Sequence, residues 1–168
     1  MRVVVANLKN QAASKPATKI LLALCLAEAN RRVAVEAGAV GTFVEVATEL
    51  EEAAAERALA ALELTCTVPE GAAELRAHAL AVPVMVSMMG KMAGRGREYA
   101  ISALTIIYGN CGSGEQVQHA PPEEVARAVV LALQGDCPDR GKRKGSQLLK
   151  ALQEYGRLDL SHEGNVRF

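Results

Sequence analysis

A period of about forty-one residues runs through this chain and restricts its fold more than any other feature. Self-similarity at a fixed interval of that size means stacked units that each contact only their neighbours, in place of one closed fold. One anchor is a small residue ending a short helix: Gly38 in Glu36-Ala37-Gly38-Ala39-Val40, Ala79 in Ala77-His78-Ala79-Leu80-Ala81, and Ala120 in Gln118-His119-Ala120-Pro121-Pro122, spaced 41 and 41 residues apart. A second anchor is Ala17, Ala58 and Ala100, each four residues before Leu21, Leu62 and Leu104, with steps of 41 and 42. A small and a large side chain at i and i+4 share one helix face, so neighbouring helices approach at the Ala and interlock at the Leu. Gly145 and Leu149 read as a fourth copy after a 45-residue step, irregular as a capping unit is expected to be.

Each unit reads as a short helix, a turn, a second helix and a longer third helix. In the clearest unit these are Ala29 to Glu36, Val40 to Leu50 and Glu52 to Cys66; the next runs from Glu70 to about Asn110, with Pro83 near the start of its second helix. Gly- or Pro-rich loops are expected at Val68 to Gly71, Gly94 to Gly96, Gly109 to Gly114 and Gly135 to Asp139. Arg2 to Leu8 resembles a second helix whose unit begins upstream, so the chain reads as a piece of a longer protein. The divisions are residues 1–27 (end of a truncated repeat), 28–67, 68–111 and 112–158 (terminal repeat), followed by a tail, 159–168, without sustained period, mobile or ordered only by docking.

Only 3% of residues are aromatic and none is Trp, so the core must be built from Ala, Leu, Val and Ile in closely packed helices. Nineteen Lys and Arg balance nineteen Asp and Glu, which argues against nucleic acid as a partner. No apolar run approaches the ~20 residues of a membrane span. Cys25, Cys66, Cys111 and Cys137 form no paired motif and no signal peptide precedes them; they read as reduced, buried thiols of a cytoplasmic or nuclear protein.

The run Lys15-Pro16-Ala17-Thr18-Lys19-Ile20-Leu21-Leu22-Ala23-Leu24-Cys25, followed by Asn30-Arg31-Arg32-Val33-Ala34-Val35-Glu36-Ala37-Gly38-Ala39-Val40, resembles an armadillo repeat of the plant U-box ubiquitin-ligase type. Glu70-Gly71-Ala72-Ala73-Glu74-Leu75 and Lys142-Arg143-Lys144-Gly145-Ser146-Gln147-Leu148-Leu149-Lys150 resemble the last repeats of those ligases. The resemblance implies an all-α, right-handed armadillo-type solenoid of three to four repeats with three helices each. It implies a protein partner: a ubiquitination substrate, a receptor kinase or another signalling regulator, which would also carry the protein to the plasma membrane. A U-box of ~70 residues, for which no segment is left here, would recruit the ubiquitin-conjugating enzyme. The fragment is expected to have no catalytic site, metal or cofactor, while its parent would be a ubiquitin transferase; an armadillo scaffold without ligase activity is the alternative. Armadillo proteins that grip extended peptides carry Asn along the third helices, whereas Ala23, Leu64 and Ile106 stand there in this chain.

Other chemistry is poorly supported. His78 and His119 occupy the same place in successive repeats and do not converge as metal ligands, and His162 lies in the tail. The segment Gly109 to Gly114 lacks the Lys-Ser/Thr ending of a phosphate loop. Met85, Met88, Met89 and Met92 read as core, or as an adaptable binding stripe. Glu45, Glu49, Glu51, Glu52 and Glu56 make an acidic patch, and Arg140, Lys142, Arg143 and Lys144 a basic one. In an armadillo stack the third helices line a groove. Their outward stripe is Lys15 and Lys19, then Glu56 and Glu63, then Glu98, Ser102 and Thr105, then Arg143, Gln147 and Lys150. A groove basic at both ends and acidic in the middle is expected, with Glu56 and Glu63 reversible to Lys without unfolding. Apolar residues at the solenoid ends, Val3, Val4 and Leu8 among them, are expected to promote self-association.

Overall fold

The computed structural model describes residues 1–109 and 121–163, with side chains as far as residue 156. Among the described residues there are α-helices, two 3-10 turns and no strand: α1 (Arg2–Ala6), α2 (Ser14–Leu26), α3 (Glu28–Glu36), α4 (Ala39–Val46), α5 (Glu52–Thr65), α6 (Pro69–Ala77), α7 (Ala81–Lys91), α8 (Gly94–Tyr108), α9 (Pro122–Gln134) and α10 (Asp139–Glu163). The 3-10 turns Asn7–Lys9 and Ala47–Glu49 prolong α1 and α4. Side by side, α2, α5, α8 and α10 form a ladder of third helices; α1, α4 with its extension, α7 and α9 form a second ladder, and α3 packs on α6. This is the all-α stack of three-helix units that the period requires. Cys111, His119, Ala120 and the loop segment 110–114 lie outside the described residues.

The seam between third helices follows the small-large anchors. Ala17, Ala58 and Ala100 are 4%, 2% and 0% exposed, and Leu21, Leu62 and Leu104 are equally enclosed. Burying each such Leu contributes roughly 1.5–3 kcal/mol, and the missing bulk at each Ala lets the next helix come close enough to realise it.

The fourth copy is shifted from its expected position. Leu149 is half-exposed, while Leu148 and Leu152 fill the seam. Gly141, which follows Ala100 by 41 residues, makes the close contact with α8: a Cβ there would lie 3.4 Å from the Glu98 Cα and 2.6 Å from the Cys137 Sγ. The regular step therefore persists, and the 45-residue step arises only when Gly145 is set against Ala100. Gly145 itself is buried against Leu133 of α9.

Helix ends are closed by side chains from other helices. Four backbone groups are left unsatisfied at each helix end, and here long polar side chains meet several of them. Arg31 of α3 donates to the carbonyls of Cys25 and Leu26, and Asn30 to that of Leu24, closing α2. Arg76 of α6 donates to Ile106 O near the end of α8 at 3.1 Å, and Arg97 of α8 donates to Met89 O, Ala132 O and Asp136 O. Gly38, at φ +78°, makes the turn between α3 and α4, a conformation that L side chains rarely adopt. Having no side chain, it cannot cap α4; Glu74 of the following repeat accepts from Gly41 N at 3.1 Å instead.

Several expectations need correction. Pro69 to Gly71 is the first turn of α6 and Gly94 to Gly96 that of α8, not loops, because Pro at a helix start forfeits only an N–H that has no partner there. The four methionines keep the first of their two readings: all are 3% exposed or less and belong to the core, which leaves no adaptable binding stripe. Leu8 is 2% exposed, covered within the chain, whereas Val3 is 75% exposed. Helix α10 continues to Glu163, five residues into the expected tail.

The close packing generates a paired prediction. A Cβ on Gly71 would sit 2.3 Å from the Thr65 carbonyl oxygen, whereas one on Gly90 would meet nothing within 4 Å. Gly71→Ala should destabilise by about 1–3 kcal/mol through overpacking against backbone, and Gly90→Ala should stabilise by about 0.5–1 kcal/mol through helix propensity. Urea unfolding followed by circular dichroism checks both signs.

Candidate protein-binding face

The exposed face of the third-helix ladder carries the expected stripe, but side chains from α10 partly cover it. Lys15 and Lys19 are exposed on α2, Lys15 lying 3.5 Å from Glu51. Glu56 on α5 and Thr105 on α8 are half-exposed, and the Thr105 hydroxyl donates to Ile101 O. Arg143, Gln147 and Lys150 are exposed on α10. Three stripe members are not free: the side chains of Glu63 and Glu98 are 17% and 8% exposed, and Ser102 is 1% exposed.

Arg140 and Lys144 cover them. Arg140 Nη2 lies 2.7 Å from Glu63 Oε1, and its Nη1 pairs with Glu98; Lys144 Nζ lies 2.6 Å from the same Glu63 oxygen and also donates to Ser102 Oγ. Ser102 Oγ donates to Glu63 at 2.5 Å. One carboxylate on α5 is thus gripped by two cations from α10, reaching across α8. Charge-assisted hydrogen bonds of this kind are stronger than neutral ones. Burial alone would raise the Glu63 carboxyl, but hydrogen bonds from Lys144, Ser102 and Arg140 outweigh it and hold it below the usual carboxylate range. The Arg140 guanidinium is held charged by its bonds to Glu63 and Glu98.

The groove is therefore not acidic in its middle, as the one-dimensional stripe suggests, because two of its acids are neutralised within the fold. Nor does Glu63→Lys test binding alone, since it would place a third cation among Arg140 and Lys144. The sequence reading put both cations in a generic basic patch. The signal that could have found them is their 42-residue separation from Glu98 and Ser102, one repeat away in the adjacent helix. The acidic patch is likewise partly engaged, Glu45 pairing with Lys9 at 2.7 Å.

Beside the network lie two open depressions of about 400 and 430 Å³, which share Cys66, Thr67, Thr105 and Ile106. Arg76 borders the first, and Leu64, Arg140 and Lys144 the second. Leu64 and Ile106, at the positions where peptide-gripping armadillo proteins carry Asn, are half-exposed; Ala23 is exposed one helix further along the ladder. Cys66 is no nucleophile here, since burial pushes its thiol up to about 12; Cys25 and Cys137 are also buried. His78 forms the C-cap of α6 and accepts from Leu80 N. Among the described residues no three His, Cys, Asp or Glu side chains converge, and no helix is long and apolar enough to cross a membrane.

A depressed carboxyl contributes stability that is complete above its ordinary value of 4.5 and is lost as pH falls through its lower folded value. Stability should be level above about pH 5.5 and fall steeply below the ordinary carboxylate range. Glu63→Gln should flatten that acid limb and cost about 1–3 kcal/mol at neutral pH, less than for a fully buried ion because Arg140 remains partly hydrated. Thermal melts from pH 3 to 7 read both effects.

The family model described as the plant U-box protein ARM repeat region matches residues 1–159. U-box domain-containing proteins 26 and 25 of Arabidopsis thaliana are 37% and 35% identical over 153 residues, 88% of this chain and 36% of each relative. The E3 ubiquitin-protein ligase PUB23 of the same plant is 28% identical over 145 residues, 84% of this chain and 35% of that protein. The chain thus spans about a third of the length of these curated relatives. No solved structure matches it significantly. An all-α stack with two complete three-helix units among the described residues, α3–α5 and α6–α8, and a family match over nearly all of its sequence lead to one assignment: this chain belongs to the armadillo-repeat region of the plant U-box proteins.

Proposed function

We propose that this chain is the partner-holding module of a ubiquitin ligase, and that it holds a substrate or regulator along the exposed face of α2, α5, α8 and α10. The observation that carries this reading is the apolar ladder of Ala23, Leu64 and Ile106, left open between charged rims and flanked by the two depressions. Half-exposed apolar side chains at one place in successive repeats are what a stack offers a partner that crosses several of them. With Leu and Ile where Asn would bond a peptide backbone, recognition rests on burying partner side chains more than on gripping main-chain amides. The ligase role rests on the relatives, one of which is named an E3 ubiquitin-protein ligase.

The test compares proteins recovered by proximity labelling in plant cells from the wild-type chain and from the double variant Leu64→Gln, Ile106→Gln. Truncating a central apolar contact typically costs an interface about 1–2 kcal/mol, so recovery of direct partners should fall roughly tenfold. Melting curves within a few degrees of wild type would show that the fold is retained. Partners that are lost in the variant and accumulate on proteasome inhibition support the ligase reading. Partners lost without such accumulation favour a scaffold, and an unchanged set means that another face binds.

A further inference from the structure

One flank of α2 has no helix against it among the described residues, although the corresponding flank of α5 and of α8 is closed. In the register of Ala17, Ala58 and Ala100, the residues Ala13, Ile20 and Leu24 of α2 correspond to Ala54, Ala61 and Thr65 of α5 and to Gly96, Ala103 and Ile107 of α8, in steps of 41 and 42. On α5 and α8 all six are buried, Ala61 in one cluster with Ala17 and Leu21 of the preceding α2. On α2, Ile20 is 48% exposed, and Ala13 and Leu24 are only half-buried. The other end of the ladder is finished in a different way. Two residues before Ile20, Ala61 and Ala103, on the opposite side of each helix, Thr18, Leu59 and Ile101 are buried. Lys142, 41 residues after Ile101, takes that place on α10. It is exposed together with Ser146 and Gln153, beside half-exposed Leu149. A polar outer face is what a capping unit requires, and the open flank of α2 lacks one.

Ile20 departs from the seam it would otherwise join. Ala61 and Ala103 are small and let the preceding helix come close, whereas a β-branched side chain at that point holds a third helix of the usual kind away. The flank is instead symmetric about Ile20. Ala13, Pro16, Ile20, Leu24 and Ala27 follow one another at intervals of 3, 4, 4 and 3 residues, with an Ala at each end. Pro16 and Ala27 are exposed as well. Such a stripe, turned end for end, fits itself: Ile20 lies beside Ile20, Pro16 meets Leu24, and Ala13 meets Ala27. Charges stand at its margins. Lys15, 3.5 Å from Glu51, and Lys19 lie towards the ladder face, Glu28 follows Ala27, and Arg2 is exposed on the adjoining α1. The reversed order carries Glu28 of one copy to the Lys15 end of the other and leaves Lys19 as the like-charge approach nearest the axis. We infer that two copies of this chain associate through this flank, their α2 helices antiparallel about a two-fold axis at Ile20. A two-fold contact uses the same patch on both subunits and closes at two. One helix face per partner is at the low end of specific interfaces, which corresponds to a dissociation constant on the order of 10 µM. The ladder face is a separate surface, so this dimer does not depend on the partner binding proposed above.

Sedimentation velocity on the 168-residue chain, from about 1 to about 200 µM around the expected midpoint, should show a single step from 17.7 kDa to twice that mass. Ile20→Glu, which sets two carboxylates against each other at the axis, should raise the dissociation constant at least about a hundredfold. Ile20→Ala, too mild to unfold the chain at a position that is 48% exposed, should raise it on the order of tenfold. Leu131→Glu, at an exposed apolar residue of α9, should leave it unchanged. To read the order of the helices, Ala13→Cys and Ala27→Cys proteins, each in a Cys111→Ser background, are treated with a short bismaleimide, singly and mixed. Cys25, Cys66 and Cys137 are buried, and only the mixture should yield a crosslinked dimer. A chain that stays monomeric throughout the range, a dimer insensitive to both Ile20 substitutions or abolished by Leu131→Glu, or a mass that climbs past two copies would overturn the inference. So would crosslinking of either cysteine protein by itself with no gain on mixing.

Discussion

Close approach at small residues is the constraint on which the rest of this structure depends. Ala17, Ala58 and Ala100, continued by Gly141, sit where third helices touch, and each is enclosed. With so few aromatic side chains, a stack of wider spacing would leave voids, and voids forfeit both transfer energy and dispersion contacts. The short spacing also determines what long side chains can do. Arg140 begins on α10 and still reaches Glu63 on α5, because the helix between them is met through a glycine on one side and alanines on the other. The same proximity lets arginines of one helix close the carbonyl ends of another, so helix termination depends on packing throughout the stack.

The ion network changes the meaning of the surface. Glu63, Glu98 and Ser102 point outward from their helices, yet most of their hydrogen-bonding capacity is spent inside the molecule, joining three third helices. What this face leaves exposed is the apolar ladder and the charges outside the network, Lys19, Arg95, Arg143, Lys150 and Glu154 among them. The charges of this face thus fall into two groups: the buried acids hold α10 in place, and Arg95, Arg143 and Lys150 stay exposed on α8 and α10. Mutations in the first group report on folding, so a charge reversal on this face tests binding only when it spares them.

Much of the fold was legible in one dimension. The period, the Ala and Leu anchors and the three-helix unit came from residue types alone, and the elements from Arg2 to Thr65 lie close to where periodicity placed them. The last unit was less legible. Gly141 and Gly145 are both small, and only the packed position of Leu148 and Leu152 shows which of them faces α8. The outward stripe was correct in direction but not in exposure, because exposure depends on what neighbouring helices lay across it. A repeat-by-repeat comparison of opposite charges one period apart would have paired Arg140 with Glu98; it would not have brought in Glu63, two helices away.

By itself the sequence determined the class of architecture, the spacing of its units, the apolar nature of the ladder positions and the family to which the chain is similar. These follow from local rules: helical periodicity and side-chain size act over a few residues and repeat wherever the residues repeat. Tertiary structure alone decided which charges are free. Whether a carboxylate is a surface feature or a buried link depends on cations contributed by another repeat, at distances that follow from how closely the helices pack. Electrostatics acts through space, so the charge pattern of this face exists only once the stack has formed.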